Sequence, residues 1–152
     1  MKKRISLLIP IALIALTSGC ATLYKEAPRS EPHATIRGEW GESFWDGANT
    51  AIYEINGLPV DTDWKGATSK RRLFPGKNSV FVSTGGGQRL IATAYLEFSV
   101  MAENDYIVTK ENQGEFVLFK IYNEATGEVV AEKRAEKRTG PSGGSPMVIP
   151  IV

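Results

Sequence analysis

Hydrophobic and polar residues alternate with a period near two along most of the chain after Ala34. The clearest case is RLIATAYLEFSVMA, residues 89–102, which places Leu96, Phe98 and Val100 on one face and Tyr95 and Glu97 on the other. Because successive side chains of a strand point to opposite faces of a sheet, this pattern predicts a long strand with one buried face.

Shorter runs of the same kind predict further strands, at residues 50–55, 79–84, 105–110, 115–122 and 128–132. Turn-forming pairs and triplets separate them, among them Asn56-Gly57, Pro75-Gly76 and Thr126-Gly127. The following EKRAEKR, residues 132–138, is consistent with a frayed strand or a short helix. Together these elements predict an all-β protein, a single antiparallel β-sandwich over residues 34–138.

The first nineteen residues have the three regions of a secretory signal peptide. A basic start, KKR, precedes an apolar run from Ile5 to Leu16 and then the small polar residues TSG. Twelve apolar residues rise only about 18 Å as a helix, which is too short to cross a bilayer core. We therefore expect residues 1–19 to be removed during export.

The chain's one cysteine, Cys20, stands directly after this leader. The sequence LTSGC resembles the lipobox of bacterial lipoproteins. The resemblance implies cleavage between Gly19 and Cys20, a diacylglyceryl thioether on Cys20 and an acyl chain on its new amino group. Since Ala21 is not aspartate, it also implies sorting to the outer membrane, with the domain facing the periplasm. No other cofactor is expected.

Residues 20–33 predict a flexible tether, because Pro28 and Pro32 interrupt a polar stretch without apolar periodicity. Residues 139–152 form a Gly/Ser/Pro-rich tail that ends in the apolar MVIPIV. That end is expected to dock on the domain as an edge strand, or alternatively to insert into a partner.

Charge argues against a nucleic-acid partner. The chain has 18 basic and 17 acidic residues, and three of the basic ones, Lys2, Lys3 and Arg4, precede Cys20. The part that begins at Cys20 therefore has a small negative net charge.

Residues 51–83 resemble PEGA-type domains, the small sandwich domains found in many bacterial envelope lipoproteins. The matching residues are those of two strand-and-turn units, Ile55, Asn56, Gly57, Leu73, Pro75, Gly76, Val80 and Val82. Asn78 departs from the pattern, which often has histidine there. The resemblance implies a sandwich fold and leaves the activity open.

The residues of a catalytic site are scarce in the predicted domain. The sole histidine, His33, lies in the tether, and Cys20 is expected to carry lipid. Asp61 and Asp63 could form a carboxylate pair or bind a cation, but they also fit a solvated loop. We therefore predict a protein that is not an enzyme and holds no metal.

Two groups of residues are candidates for binding. Lys70, Arg71 and Arg72 form the centre of a basic loop that could contact anionic lipid or cell-wall groups. Trp64, with Trp40 and Trp45, could form an aromatic surface for a sugar or a partner.

Three functional hypotheses follow. The first is a non-catalytic module that binds an envelope protein. The second is a peptidoglycan or glycan binder that uses the aromatic residues and the basic loop. The third, which the sequence supports least, is a carboxylate-dependent hydrolase.

Overall fold

The computed structural model describes residues 22–39, 49–61, 69–86 and 89–138, and the side chains of residues 85–91 are not described. The described residues form nine strands. They are β1 (Ala34–Gly38), β2 (Thr50–Ile55), β3 (Leu58–Pro59), β4 (Arg71–Leu73), β5 (Gly76–Gly86), β6 (Arg89–Val100), β7 (Asp105–Gln113), β8 (Phe116–Asn123) and β9 (Val129–Glu136).

The strands form two sheets. The five-stranded sheet has the order β4-β1-β7-β8-β9, and the four-stranded sheet has the order β3-β2-β5-β6. The sheets pack face to face, and β6 lies beside β9 along one side of the molecule. The predicted all-β sandwich is therefore confirmed, with one addition: β1 pairs with β7 in parallel, whereas the other pairings are antiparallel.

The core lies between the sheets and follows the alternation of the sequence. Along β8, Val117, Phe119 and Ile121 are buried, and the residues between them are only half-buried. Along β6 the face predicted to be buried is buried, from Ala92 to Val100. Period-two patterning thus determines which face of each long strand lies inside.

The connection from β1 to β2 depends on a glycine. A Cβ atom on Gly38 would lie 1.7 Å from the carbonyl oxygen of Thr50, so no larger residue fits at this crossing. The backbone N–H of Thr50 donates to the carbonyl of Glu39, and that of Glu39 donates to Val108 on β7. The chain thereby passes from one sheet to the other.

Asparagine side chains join two turns within residues 51–83. Asn56 and Gly57 have φ of 53° and 73°, the left-handed values that a tight two-residue hairpin requires. The Asn56 side-chain amide donates to Asn78 Oδ1 at 3.0 Å, and Asn78 Nδ2 donates to the carbonyl of Phe74 at 2.9 Å. Buried Asn78 therefore links the β2–β3 turn to the turn before β5.

The stretch EKRAEKR, for which the sequence left strand or helix open, is mostly strand. β9 continues to Glu136 and pairs with β8 in antiparallel register, from Tyr122 opposite Val129 to Phe116 opposite Glu136. Pairing with β8 supplies the backbone hydrogen bonds, and this outweighs the high intrinsic helix propensity of Glu, Lys, Arg and Ala.

Candidate functional site

The outer face of the four-stranded sheet carries a pair of aromatic rings, of which one is exposed and the other half-buried. Phe81 on β5 lies directly opposite Tyr95 on β6. Their ring centroids are 4.6 Å apart with an interplanar angle of 32°, and Tyr95 is 54% exposed. We call Phe81 and Tyr95 the ring pair. It offers apolar area on a rigid strand pair, as protein interfaces commonly do.

A carboxylate lies beside the ring pair because β2 contains a bulge. Ile52 pairs with Val82 and Glu54 pairs with Phe81, so Tyr53 is the extra residue and Glu54 comes into line with the rings. The Tyr95 hydroxyl donates to Glu54 Oε2 at 3.1 Å. Partial burial and this hydrogen bond to a carboxylate both raise the pKa of Tyr95, which keeps the phenol protonated as a donor.

Further polar and aromatic groups surround the ring pair. Tyr53 is 40% exposed on the bulge. Glu97 is exposed two residues after Tyr95 on the same strand, and therefore on the same face. The surroundings of the rings thus combine exposed aromatic surface with two carboxylates, those of Glu54 and Glu97.

The outer face of the five-stranded sheet differs, because a charged side chain covers its Phe116 ring. The guanidinium of Arg134 lies 3.7 Å from the centroid of the Phe116 ring. Lys120 Nζ lies 3.1 Å from Glu111 Oε2, and this bond raises the pKa of Lys120 and lowers that of Glu111. Leu118, which lies between Phe116 and Lys120 in the sequence, is only half-buried.

The basic residues predicted to bind anions lie together on or beside β4, and each contacts an acidic group of the chain itself. Lys70 Nζ lies 2.9 Å from Asp105 Oδ1. Arg71 and Arg72 both pair with Glu26, at 3.4 Å and 3.0 Å. Ion pairs within the chain therefore partly neutralise the proposed anion-binding surface.

Arg72 also binds the backbone of the N-terminal segment, and Arg71 binds the backbone of the chain just after β3. Arg72 Nε donates to the carbonyl of Ala27 at 2.6 Å, and Arg71 donates to the carbonyl of Asp61 at 2.6 Å. Ala27 is fully buried. The segment thus packs against the β4 edge of the five-stranded sheet.

A second contact fixes the same segment to the other sheet. The backbone N–H of Tyr24 donates to the carbonyl of Pro59 on β3 at 2.8 Å, and the Tyr24 hydroxyl donates to the carbonyl of Arg72 at 3.0 Å. We call Tyr24, Glu26, Ala27, Arg71 and Arg72 the clasp. The segment predicted as a free tether therefore lies against the sandwich from Tyr24 to Ala27, bridging the β3 and β4 edges.

The remaining candidates divide between the described part and the rest of the chain. His33 is held by the carbonyl of Glu31, at 2.8 Å from its Nδ1, and Asp61 is exposed. The other predicted residues lie outside the described residues: Gly19, Cys20, Trp40, Trp45, Asp63, Trp64 and the tail 139–152. In the described ranges, no group of three histidine, cysteine or acidic residues converges as metal ligands would.

The ring pair was not among the sequence-predicted sites. The alternation correctly puts Tyr95 on the outer face, but only the register shows that Phe81 lies opposite it and Glu54 beside it. Aromatic residues in phase on the polar face of adjacent strands were the available signal.

Comparisons of the chain with protein-family models, curated protein sequences and solved structures found no match. Within the described residues there is no helix with the length and apolar character needed to span a bilayer.

Proposed function

We propose that the protein is an outer-membrane lipoprotein, anchored through acyl chains on Cys20, whose β-sandwich is a non-catalytic module that binds an envelope protein in the periplasm. The partner binds the outer face of the four-stranded sheet, over the ring pair. The leader and its lipobox-like end support the anchor, and the PEGA-like segment supports a sandwich of the kind that envelope lipoproteins carry.

The main support for this binding surface is the exposure of Tyr95 in the ring pair. Tyr95 is 54% exposed although it stacks on Phe81 in the middle of two long paired strands. Tyrosine is enriched at the energetic centres of interfaces, because it buries a large area at small entropic cost. A covering partner would remove this apolar surface from water.

The charges around the ring pair indicate the chemistry of the partner. Glu54 and Glu97 place two carboxylates beside the rings, and the hydroxyl of Tyr95 already occupies one oxygen of Glu54. An arginine fits this arrangement, because its guanidinium stacks on aromatic faces and pairs with carboxylates. We therefore expect a basic, partly apolar patch on the partner.

Glycan binding is the second candidate, because the same rings could stack on a sugar face. The glycan-binding hypothesis drawn from the sequence also used the basic loop. In the structure, however, Arg71 and Arg72 contact Glu26 in the clasp. Hydrolysis by carboxylates has the least support, since Asp61 is exposed and its carbonyl receives Arg71.

Photo-crosslinking in the native host tests the proposal. A benzophenone amino acid replaces Tyr95, and in a matched variant it replaces half-buried Tyr122 on the outer face of the five-stranded sheet. We expect a protein adduct at position 95, none at position 122, and loss of the adduct when Cys20→Ala removes the anchor. Glycan adducts alone at position 95 would favour the second candidate, and equal protein adducts at both positions would contradict the proposed surface.

A further inference from the structure

We infer that the clasp holds the sandwich directly against the membrane surface, with the β3 edge facing the lipid. This inference rests on the proposed function, since it requires the acyl chains on Cys20. It adds an orientation and a second contact surface, with the bilayer as its occupant.

The length of chain between the lipid anchor and the folded domain is short. The backbone N–H of Tyr24 is fixed to Pro59 on β3. Only Ala21, Thr22 and Leu23 separate Tyr24 from Cys20. Four Cα-to-Cα steps span at most about 14 Å, whereas a fully free tether of fourteen residues would reach about 45 Å.

Several bonds attach the segment around Tyr24 to the sandwich. The clasp combines backbone bonds to both sheets, the Tyr24 hydroxyl bond and two ion pairs of Glu26, and it buries Ala27 completely. Glu26 and its two arginines are each less than one-third exposed, so water weakens these pairs less than it weakens pairs at an open surface. These hydrogen bonds and ion pairs act together to hold the segment on the fold.

Two exposed leucines lie next to this attachment. Leu23 is 55% exposed and Leu58 is 37% exposed. Each is the chain neighbour of a residue in the Tyr24–Pro59 hydrogen bond. Two exposed leucines therefore lie on the side from which the chain leads to Cys20, where they can enter the headgroup region of the bilayer.

In the inferred orientation the ring pair lies away from the membrane. β3 and β6 are the two edges of the four-stranded sheet. With β3 toward the lipid, β6 lies on the side away from it, and Tyr95 remains open to the periplasm. The membrane and the proposed partner would then contact different parts of the same sheet.

Fluorescence quenching on the lipidated protein tests the inference. Because the thiol of Cys20 is consumed by the thioether, an introduced cysteine is the single labelling site. Leu58→Cys places a bimane label at the β3 edge, and Ser99→Cys places a matched label on exposed β6. Both proteins are reconstituted in phosphatidylcholine vesicles that contain lipids with spin-labelled headgroups.

We expect the label at position 58 to be quenched several-fold more than the label at position 99. A flexible Gly-Ser linker of about ten residues between Ala21 and Thr22 leaves the clasp intact and should bring the quenching at position 58 close to that at position 99. Equal quenching in the chain of native length, with lipid on Cys20 confirmed by mass spectrometry, would overturn this inference alone. A mass that shows no lipid on Cys20 would overturn both this inference and the proposed anchor.

Discussion

The two outer faces of the sandwich use the same kinds of residue and arrange them differently. On the five-stranded sheet, Arg134 covers the Phe116 ring and Lys120 pairs with Glu111. On the four-stranded sheet, Phe81 and Tyr95 stack on each other and Tyr95 remains 54% exposed. On the first face the chain itself covers the Phe116 ring, and the second face leaves the aromatic area of Tyr95 for another molecule.

Truncation of Tyr95 is expected to have the largest effect on this difference. Tyr95→Ala should weaken binding of the crosslinked partner about 30-fold or more, the effect typical of a central interface tyrosine. Binding is measured with purified proteins by calorimetry. Tyr122→Ala, the matched change on the covered face, should leave the affinity within about twofold. A similar loss in both variants would show that the faces do not differ in function.

Removal of the carboxylate beside the rings should have an intermediate effect. Glu54→Gln should weaken binding to a basic partner about tenfold, as expected for a charge pair close to the interface centre. The same change should lower the pKa of Tyr95 toward its ordinary value, because the carboxylate helps to raise it. An NMR titration of the Tyr95 ring carbon measures this shift. An unchanged pKa would contradict the role given to the Tyr95–Glu54 hydrogen bond.

Uncovering the other face should cost stability and create no binding. Arg134→Ala removes the cation from the Phe116 ring and should lower the free energy of unfolding by about 0.5–1 kcal/mol, measured by urea denaturation. Arg134→Lys keeps the charge and should recover part of the loss. If Arg134→Ala leaves stability unchanged, the covering of this face is incidental.

The hydrophobic alternation of the sequence predicts the buried faces of long strands, but it does not predict which strands pair. Alternation was sufficient for β6 and β8, because each has one buried face, as along β6 from Ala92 to Val100. It did not supply the parallel pairing of β1 with β7. Period-two patterning specifies faces, and pairing partners depend on the whole fold.

The two candidate surfaces were hidden from the sequence for different reasons. The clasp uses backbone carbonyls of Pro59 and Arg72 as acceptors, and carbonyls carry no sequence signal. Arg71 and Arg72 were visible as a basic loop, but their partner Glu26 is 45 or more positions earlier in the chain. The ring pair required the register between β5 and β6, together with the bulge that brings Glu54 beside it.

The smallest expected effect concerns pH and again lies on the outer side of the five-stranded sheet. Hydrogen bonds from Thr35 and Lys70 lower the pKa of Asp105, partly opposed by burial. A carboxyl whose pKa is lower in the folded state stabilises the fold above its unfolded pKa, near 3.9, and this contribution is lost as pH falls through the folded value.

Asp105→Asn should therefore reduce the free energy of unfolding at pH 6 by less than about 1 kcal/mol, because the carboxylate is about half exposed to water. Thermal unfolding measured from pH 6 down to about pH 2 should show the difference from wild type shrinking with acidity. A difference that grows as the pH falls would contradict the sign of the shift.

Hydroxyl-radical footprinting with mass spectrometry measures whether a partner covers Tyr95 without any substitution in the chain. Oxidation of Tyr95 is compared between the purified protein and intact envelopes, with Tyr122 as the internal reference. We expect Tyr95 to react several-fold less in the envelope, and Tyr122 to react equally in both settings. Equal oxidation of Tyr95 in both settings would show that no partner covers the ring pair.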